Sequence, residues 1–253
     1  MTEDTITTAS IREIFTFPFR GPDWKKRFII GSALTTTGFL IPILPLIFVY
    51  GYLLWIMRQA IKGQDLTLPV WDDLGKLAMD GLRTMLVSLV CLLPGGIITF
   101  GGMALYFISS IFMTIQAGNE GLWAIAFLVS MAIMFLAMFV GMLATVLGVI
   151  PLPMATTHFV AEDDLMAAFR VSEWWALLRV NKMGYFIAWV IIAGLMAFLY
   201  LGLMLIYYSV VLCCLTPLLG GPVGFYLLLV SAGMFGHTYR ESVQILSDMT
   251  RKV

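Results

Sequence analysis

Charge is scarce in this sequence: Asp, Glu, Lys and Arg make up 12% of 253 residues, and hydrophobic residues make up 60%. Soluble domains carry about 25% charged and roughly 45–50% apolar residues. A water-soluble fold of this length needs a polar shell that this chain cannot furnish, so an aqueous fold is excluded and lipid is the fitting solvent. The 15 basic and 15 acidic residues cancel, which leaves no electrostatic footprint for nucleic acid. Cysteine is rare too: Cys91 stands alone and Cys213-Cys214 are neighbours, which points away from a disulfide framework and a thiolate metal site. The start, Met1 to Ser10, has no basic stretch ahead of an apolar one, so no cleavable signal peptide is expected. No Walker loop, nucleophile elbow, His-Glu-x-x-His or dinucleotide fingerprint occurs.

Charge is missing where transport chemistry would need it. Apart from Glu120, no Asp, Glu, Lys or Arg occurs from Thr84 to Ala161 or from Met183 to Tyr239. An ionisable group in hydrocarbon is costly and marks proton relays and ion pathways. Its absence argues against a proton-coupled carrier, an ion pump or a voltage sensor, although backbone carbonyls at broken helices can still bind cations.

What charge there is follows a pattern. Lysines and arginines gather in four clusters, Arg12 to Arg27, Arg58 to Arg83, Arg170 to Lys182 and Arg240 to Lys252, separated by three apolar gaps. If basic residues stay on the cytoplasmic face, each gap leaves and returns there, giving an all-α polytopic transmembrane bundle of about six crossings built as hairpin units. The expected organisation is a single integral membrane domain, 1–253, in the cell membrane with both termini cytoplasmic. It divides into a tail with a first elbow helix (1–23), a helical hairpin (24–62), a second elbow (63–83), a long central hairpin (84–160), a third elbow (161–182), a C-terminal hairpin (183–240) and a tail (241–253).

Proline and glycine place the turns. Pro42-Ile43-Leu44-Pro45 marks a hairpin tip between arms Trp24–Ile41 and Leu44–Ile61, with a kinked single span as the alternative. In the central gap Gly118-Asn119-Glu120-Gly121 reads as an outside loop followed by Trp123 at the interface. Pro94-Gly95-Gly96 and Pro151-Leu152-Pro153 bend or interrupt the flanking tracts, leaving two crossings or four. The run Thr216 to Pro222 is the breaker of the last hairpin.

The interfacial elbow helices form a weak repeat. Ser10-Ile11-Arg12-Glu13 fits a capping box, with Ile11, Ile14 and Phe15 on one face. Trp71, Leu74, Ala78 and Leu82 form an apolar stripe opposite Asp72, Lys76, Asp80 and Arg83, a pattern expected to lie in the interface with a solvated charge ladder. Leu165 to Val180 is the third elbow, with Trp174-Trp175 as a headgroup anchor.

Several of these stretches carry a resemblance. Phe17-Pro18-Phe19, Asp23-Trp24-x-Lys26, Ile41-Pro42-Ile43, Gly51-Tyr52, Arg58, Leu68-Pro69-Val70-Trp71-Asp72-Asp73-Leu74-Gly75, Asp80-Gly81-Leu82 and Gly236-x-x-Tyr239-Arg240 are similar to a prokaryotic membrane family called domain of unknown function 4013. The N-terminal third carries the match, and from Cys91 to Val160 only hydrophobicity agrees. The resemblance implies a helical membrane fold of bacterial or archaeal origin and brings no established activity with it.

Candidate chemistry is thin. His158 with Glu162 and His237 with Glu241 each share a helix face, and two such pairs could converge on a metal, although His-x-x-x-Glu alone more often marks where a span meets water. Asp72 and Asp73 lack a neighbouring nucleophile or histidine. Gly95, Gly96, Gly101, Gly102, Gly141 and Gly148 suit close helix packing better than a pathway. No catalytic, cofactor-binding or metal-ligating residue is assigned and no cofactor is expected. The expected partners are the lipid bilayer and a protein partner or second copy in the membrane, with no nucleic acid. The expected function is a non-catalytic accessory or scaffold component. A permease or flippase for a neutral or lipidic substrate is the second reading, and an enzyme with its site at the cytoplasmic rim the third.

Overall fold

The computed structural model describes residues 8–115, 120–209 and 214–251, and among these there is no strand. Helix α1 is Thr8–Thr16, α2 Trp24–Thr37, α3 Leu44–Lys62, α4 Leu74–Ile115, α5 Glu120–Val149, α6 Leu152–Glu162, α7 Val171–Val180, α8 Lys182–Tyr208 and α9 Leu215–Arg251, with short 3-10 segments at Phe17–Phe19 and Leu165–Phe169. Among the described residues five stretches, α3, α4, α5 continued into α6, α8 and α9, are long and apolar enough to cross a membrane. The chain divides into two compact units, Met1–Met85 with Met154–Val253, and Leu86–Pro153.

In the first unit α9 is the axis. Helices α1, α2, α3, α7 and α8 all pack against it. Its Phe225, Leu229, Val230 and Met234 are buried with Val49, Tyr52, Leu54 and Ile56 of α3. About half of the apolar stretch of α3 and of α9 is inside (50% and 56%), against 6% for α8, so α8 turns most of its surface outward. The Leu68–Trp71 connection is stitched to this core. Tyr52 stacks on Trp71 at 4.0 Å and donates to the Pro69 carbonyl at 2.9 Å. The Trp71 indole donates to the Arg27 carbonyl at 3.0 Å, and the Arg27 guanidinium donates to the Leu68 carbonyl.

Helices α3 and α4 cross with backbone on backbone. A Cβ on Gly51 would overlap the Leu77 carbonyl, and one on Gly81 would overlap the Ile47 carbonyl. This contact overturns two expectations. The second elbow is no separate helix, because α4 runs without a break from Leu74 to Ile115. Its apolar stripe is also turned the other way: Leu74 and Leu82 are exposed, while Leu77, Asp80, Gly81 and Thr84 face the core. In lipid the apolar face points out and the polar face must find protein, so Asp80 pairs between helices with Arg58, while Asp72 and Lys76 of the expected ladder stay exposed.

Other breaker signals fall inside helices. Pro94 and Pro222 lie within α4 and α9, and the run 216–222 belongs to α9, so the expected breaker lies inside a helix, with α8 ending at Tyr208 and α9 beginning at Leu215. Pro217 sits in the first helical turn, where its missing N–H costs nothing. Gly220 and Gly221 are contact points, since a Cβ on Gly221 would meet Thr36 of α2. Pro151 does separate α5 from α6. Ser10 lies within α1 rather than capping it. Of the expected outside loop, Gly118 and Asn119 lie outside the described residues.

Between α2 and α3 the chain makes a hydrogen-bonded break. Leu44 N–H donates to the Pro42 carbonyl at 3.1 Å around Ile43, whose φ is 80°, a γ-turn of the strained positive-φ kind. The amides of Gly38, Phe39, Leu40 and Ile41 bond back to α2, and Pro42 and Pro45 have no N–H. Phe39, Leu40, Ile41 and Ile43 are all exposed around this turn. Such an internally bonded, apolar tip suits contact with lipid.

The second unit is a hairpin of the later part of α4 and α5. A Cβ on Gly95 would collide with Thr145, one on Gly141 with Thr99, one on Gly102 with Ala137 and one on Gly148 with the Cys91 carbonyl, so small residues let the helices touch. Gly96 and Gly101 face open space. Phe100, Phe107, Ile108, Leu136, Phe139 and Leu147 point outward.

Candidate functional site at the charged end of the first unit

Arg58, near the end of α3, is the centre of one cluster. Its guanidinium donates to Asp80 of α4 at 2.6 Å and to Asp163, just beyond α6, at 3.0 Å. The Asp80 side chain is 4% exposed, with Arg83 at 4.0 Å as its second cation. The pairing was hidden because its members stand 22 and 105 positions apart. One local signal existed: Asp80 directly precedes Gly81, whose backbone must touch α3.

A second cluster centres on His158 of α6. Its Nδ1 lies 2.8 Å from the Tyr239 hydroxyl of α9, and its Nε2 lies 3.0 Å from Glu173 Oε2 of α7. An ionised carboxylate only accepts, so Nε2–H donates to Glu173 and Nδ1 accepts from the Tyr239 O–H. Arg170 bonds both Glu173, at 3.4 Å, and Asp164. Trp174 is buried and donates to the Ala168 carbonyl at 3.0 Å, which leaves Trp175 as the exposed member of the expected anchor. Carboxylate, imidazole and hydroxyl in series is the order of an oriented general base. Here the hydroxyl is a phenol 4% exposed, so the series ties α6, α7 and α9 together.

The bond from His158, helped by Arg170, holds the Glu173 carboxyl below the usual carboxylate range. A depressed folded-state pKa contributes stability that is complete above the ordinary glutamate value and lost as pH falls through the folded one. In detergent, Glu173→Gln is therefore expected to melt below the wild type at pH 7, with the gap closing on acidification toward pH 3. A gap that stays constant with pH would refute the assignment.

A third group lines a cavity of about 200 Å³. Glu13 and Ile14 of α1, the end of α3 with Gly63, Gln64 and Asp65 just beyond it, and His237 and Arg240 of α9 form its walls. His237 Nδ1 lies 3.3 Å from Glu241, and its Nε2 lies 3.4 Å from the Arg240 guanidinium. Arginine only donates, so this ring carries its proton on Nδ1 and accepts at Nε2. Gly63 ends α3 with φ at 68°, and a Cβ there would strike the Arg240 guanidinium.

These bonds separate the two histidines. His158 engages Tyr239 and Glu173 rather than Glu162, His237 engages Glu241, and the pairs form no common centre. Among the described residues no group of three or more His, Cys, Asp or Glu is placed to hold a metal ion. Asp72 and Asp73 are exposed, and each accepts from a nearby backbone amide.

One family, described as a protein of unknown function (DUF4013), matches residues 34–208. The Phe17-Pro18-Phe19 and Gly236-x-x-Tyr239-Arg240 motifs fall outside that stretch. No curated protein and no solved structure matches the chain.

Proposed function

We propose that this chain, which belongs to the DUF4013 family, is a non-catalytic accessory or scaffold component of a membrane complex. Its place is the cell membrane, with both termini in the cytoplasm. The observation that carries the reading is where polarity is used. The charges buried between helices neutralise one another at one end of the first unit, while α5 and α8 bury few of their residues, 6% over the most apolar part of each. Such surfaces suit lipid and the helices of a partner. The basic clusters support the orientation, since Arg27, Arg58 and Arg170 all engage groups at this end.

The test places a photo-crosslinking residue in turn at Leu136, Phe139, Phe198 and Leu205 in native membranes. Discrete protein adducts from positions on one helix face are expected, and lipid adducts alone at every position would sink the proposal. The short α2, broken from α3, favours a second reading as a permease or flippase for a neutral or lipidic substrate, because discontinuous helices line such sites. Proteoliposome flux at leak level would remove it.

A further inference from the structure

Most charges between the helices of the first unit are paired, but those around the 200 Å³ cavity are not. Glu13, Asp65 and Arg240 make no ion pair among the described residues. Arg240 reaches only the His237 ring, at 3.4 Å, and its Nε is buried without an acceptor. The guanidinium lies over Gly63, the one residue type that both closes α3 with positive φ and leaves room there.

The signs around the cavity select the ligand. Two carboxylates and one guanidinium repel a simple anion and leave a simple cation facing Arg240. Among the described residues a metal ion finds no ligand set. The volume is below the roughly 300–1,000 Å³ of pockets for drug-sized molecules, which excludes a nucleotide or a larger cofactor. A short molecule with an anion at one end and an ammonium at the other satisfies all three charges.

We propose that this cavity binds a phosphate joined to a primary amine, the chemistry of phosphoethanolamine. The phosphate sits on Arg240 and the Gln64 side-chain amide, and the ammonium sits between Glu13 and Asp65. The molecule can come from solution or as the headgroup of a lipid. This goes beyond the scaffold reading and does not depend on it.

The full chain in detergent is titrated calorimetrically with phosphoethanolamine, inorganic phosphate and ethanolamine. Phosphoethanolamine is expected to bind about tenfold more tightly than either half, the size of one charge-assisted hydrogen bond. Arg240→Gln should weaken it by about tenfold or more on the same grounds. Glu13 and Asp65 are exposed, so Glu13→Gln with Asp65→Asn folds normally, and it should erase the preference over inorganic phosphate. Native mass spectrometry separates the sources. Retention of phosphatidylethanolamine over phosphatidylglycerol, lost in the double variant, identifies the headgroup, whereas saturable binding of the free molecule without lipid preference identifies the soluble form. Absence of both, or binding that the double variant keeps unchanged, overturns the proposal.

Discussion

Gly51→Val is expected to leave almost no monodisperse protein in detergent. Overpacking a core costs about 1–3 kcal/mol when side chains give way. Here the obstacle is the Leu77 carbonyl, part of the backbone of α4. A helix cannot yield one carbonyl without moving as a whole, so the cost exceeds that range and approaches the 5–15 kcal/mol that holds a typical domain folded. Gly81→Val should fail in the same way, because its Cβ meets the Ile47 carbonyl from the other side. Gly96→Ala and Gly101→Ala meet nothing within 4 Å. They should be neutral or stabilising by roughly 0.5–1 kcal/mol, the ordinary difference between glycine and alanine in a helix. The monodisperse fraction and the thermal midpoint report both results. A Gly51→Val protein that melts with the wild type would show that α3 and α4 do not touch as described.

Arg58→Ala is expected to cost about 3–5 kcal/mol, the usual penalty for leaving a buried charge without its partner. Asp80 would keep only Arg83, at 4.0 Å. Removing both members, Arg58→Ala with Asp80→Ala, should cost less than the sum of the two single losses in a double-mutant cycle. Asp163 is the contrasting case. Its side chain is 75% exposed, and Asp163→Ala should lie within the roughly 0–1 kcal/mol of surface pairs. Strictly additive losses for Arg58 and Asp80 would refute the pairing.

Much of the helical order was legible because a membrane span is written locally, as a long apolar run that needs no knowledge of its neighbours. The apolar run that follows Lys182 is one example, and the helix start at Leu44 inside Pro42-Ile43-Leu44-Pro45 another, although α2 ends at Thr37, short of the expected Ile41. Punctuation was read less well. In water Pro94-Gly95-Gly96 and the 216–222 run would end helices, but in lipid an open backbone has no solvent to bond, so the helix continues and the glycines serve contact. The stripe of Leu74, Ala78 and Leu82 was legible as a pattern, yet its direction was not. Amphipathicity states that two faces differ, and the surroundings decide which one turns inward. The charged end was the least legible. His158, Glu173 and Tyr239 come from three helices, and no spacing announces that they meet.

The tip between α2 and α3 bears on the bilayer itself. Fourteen residues of α2 rise about 21 Å, against a hydrocarbon thickness of about 30 Å. The 19 residues of α3, which leave the same tip, rise about 28 Å, so the two arms are unequal and the shortfall belongs to α2. A bilayer around this hairpin is expected to thin beside α2, at a fraction of a kcal/mol for each Å, and a thinner host membrane to relieve the deformation.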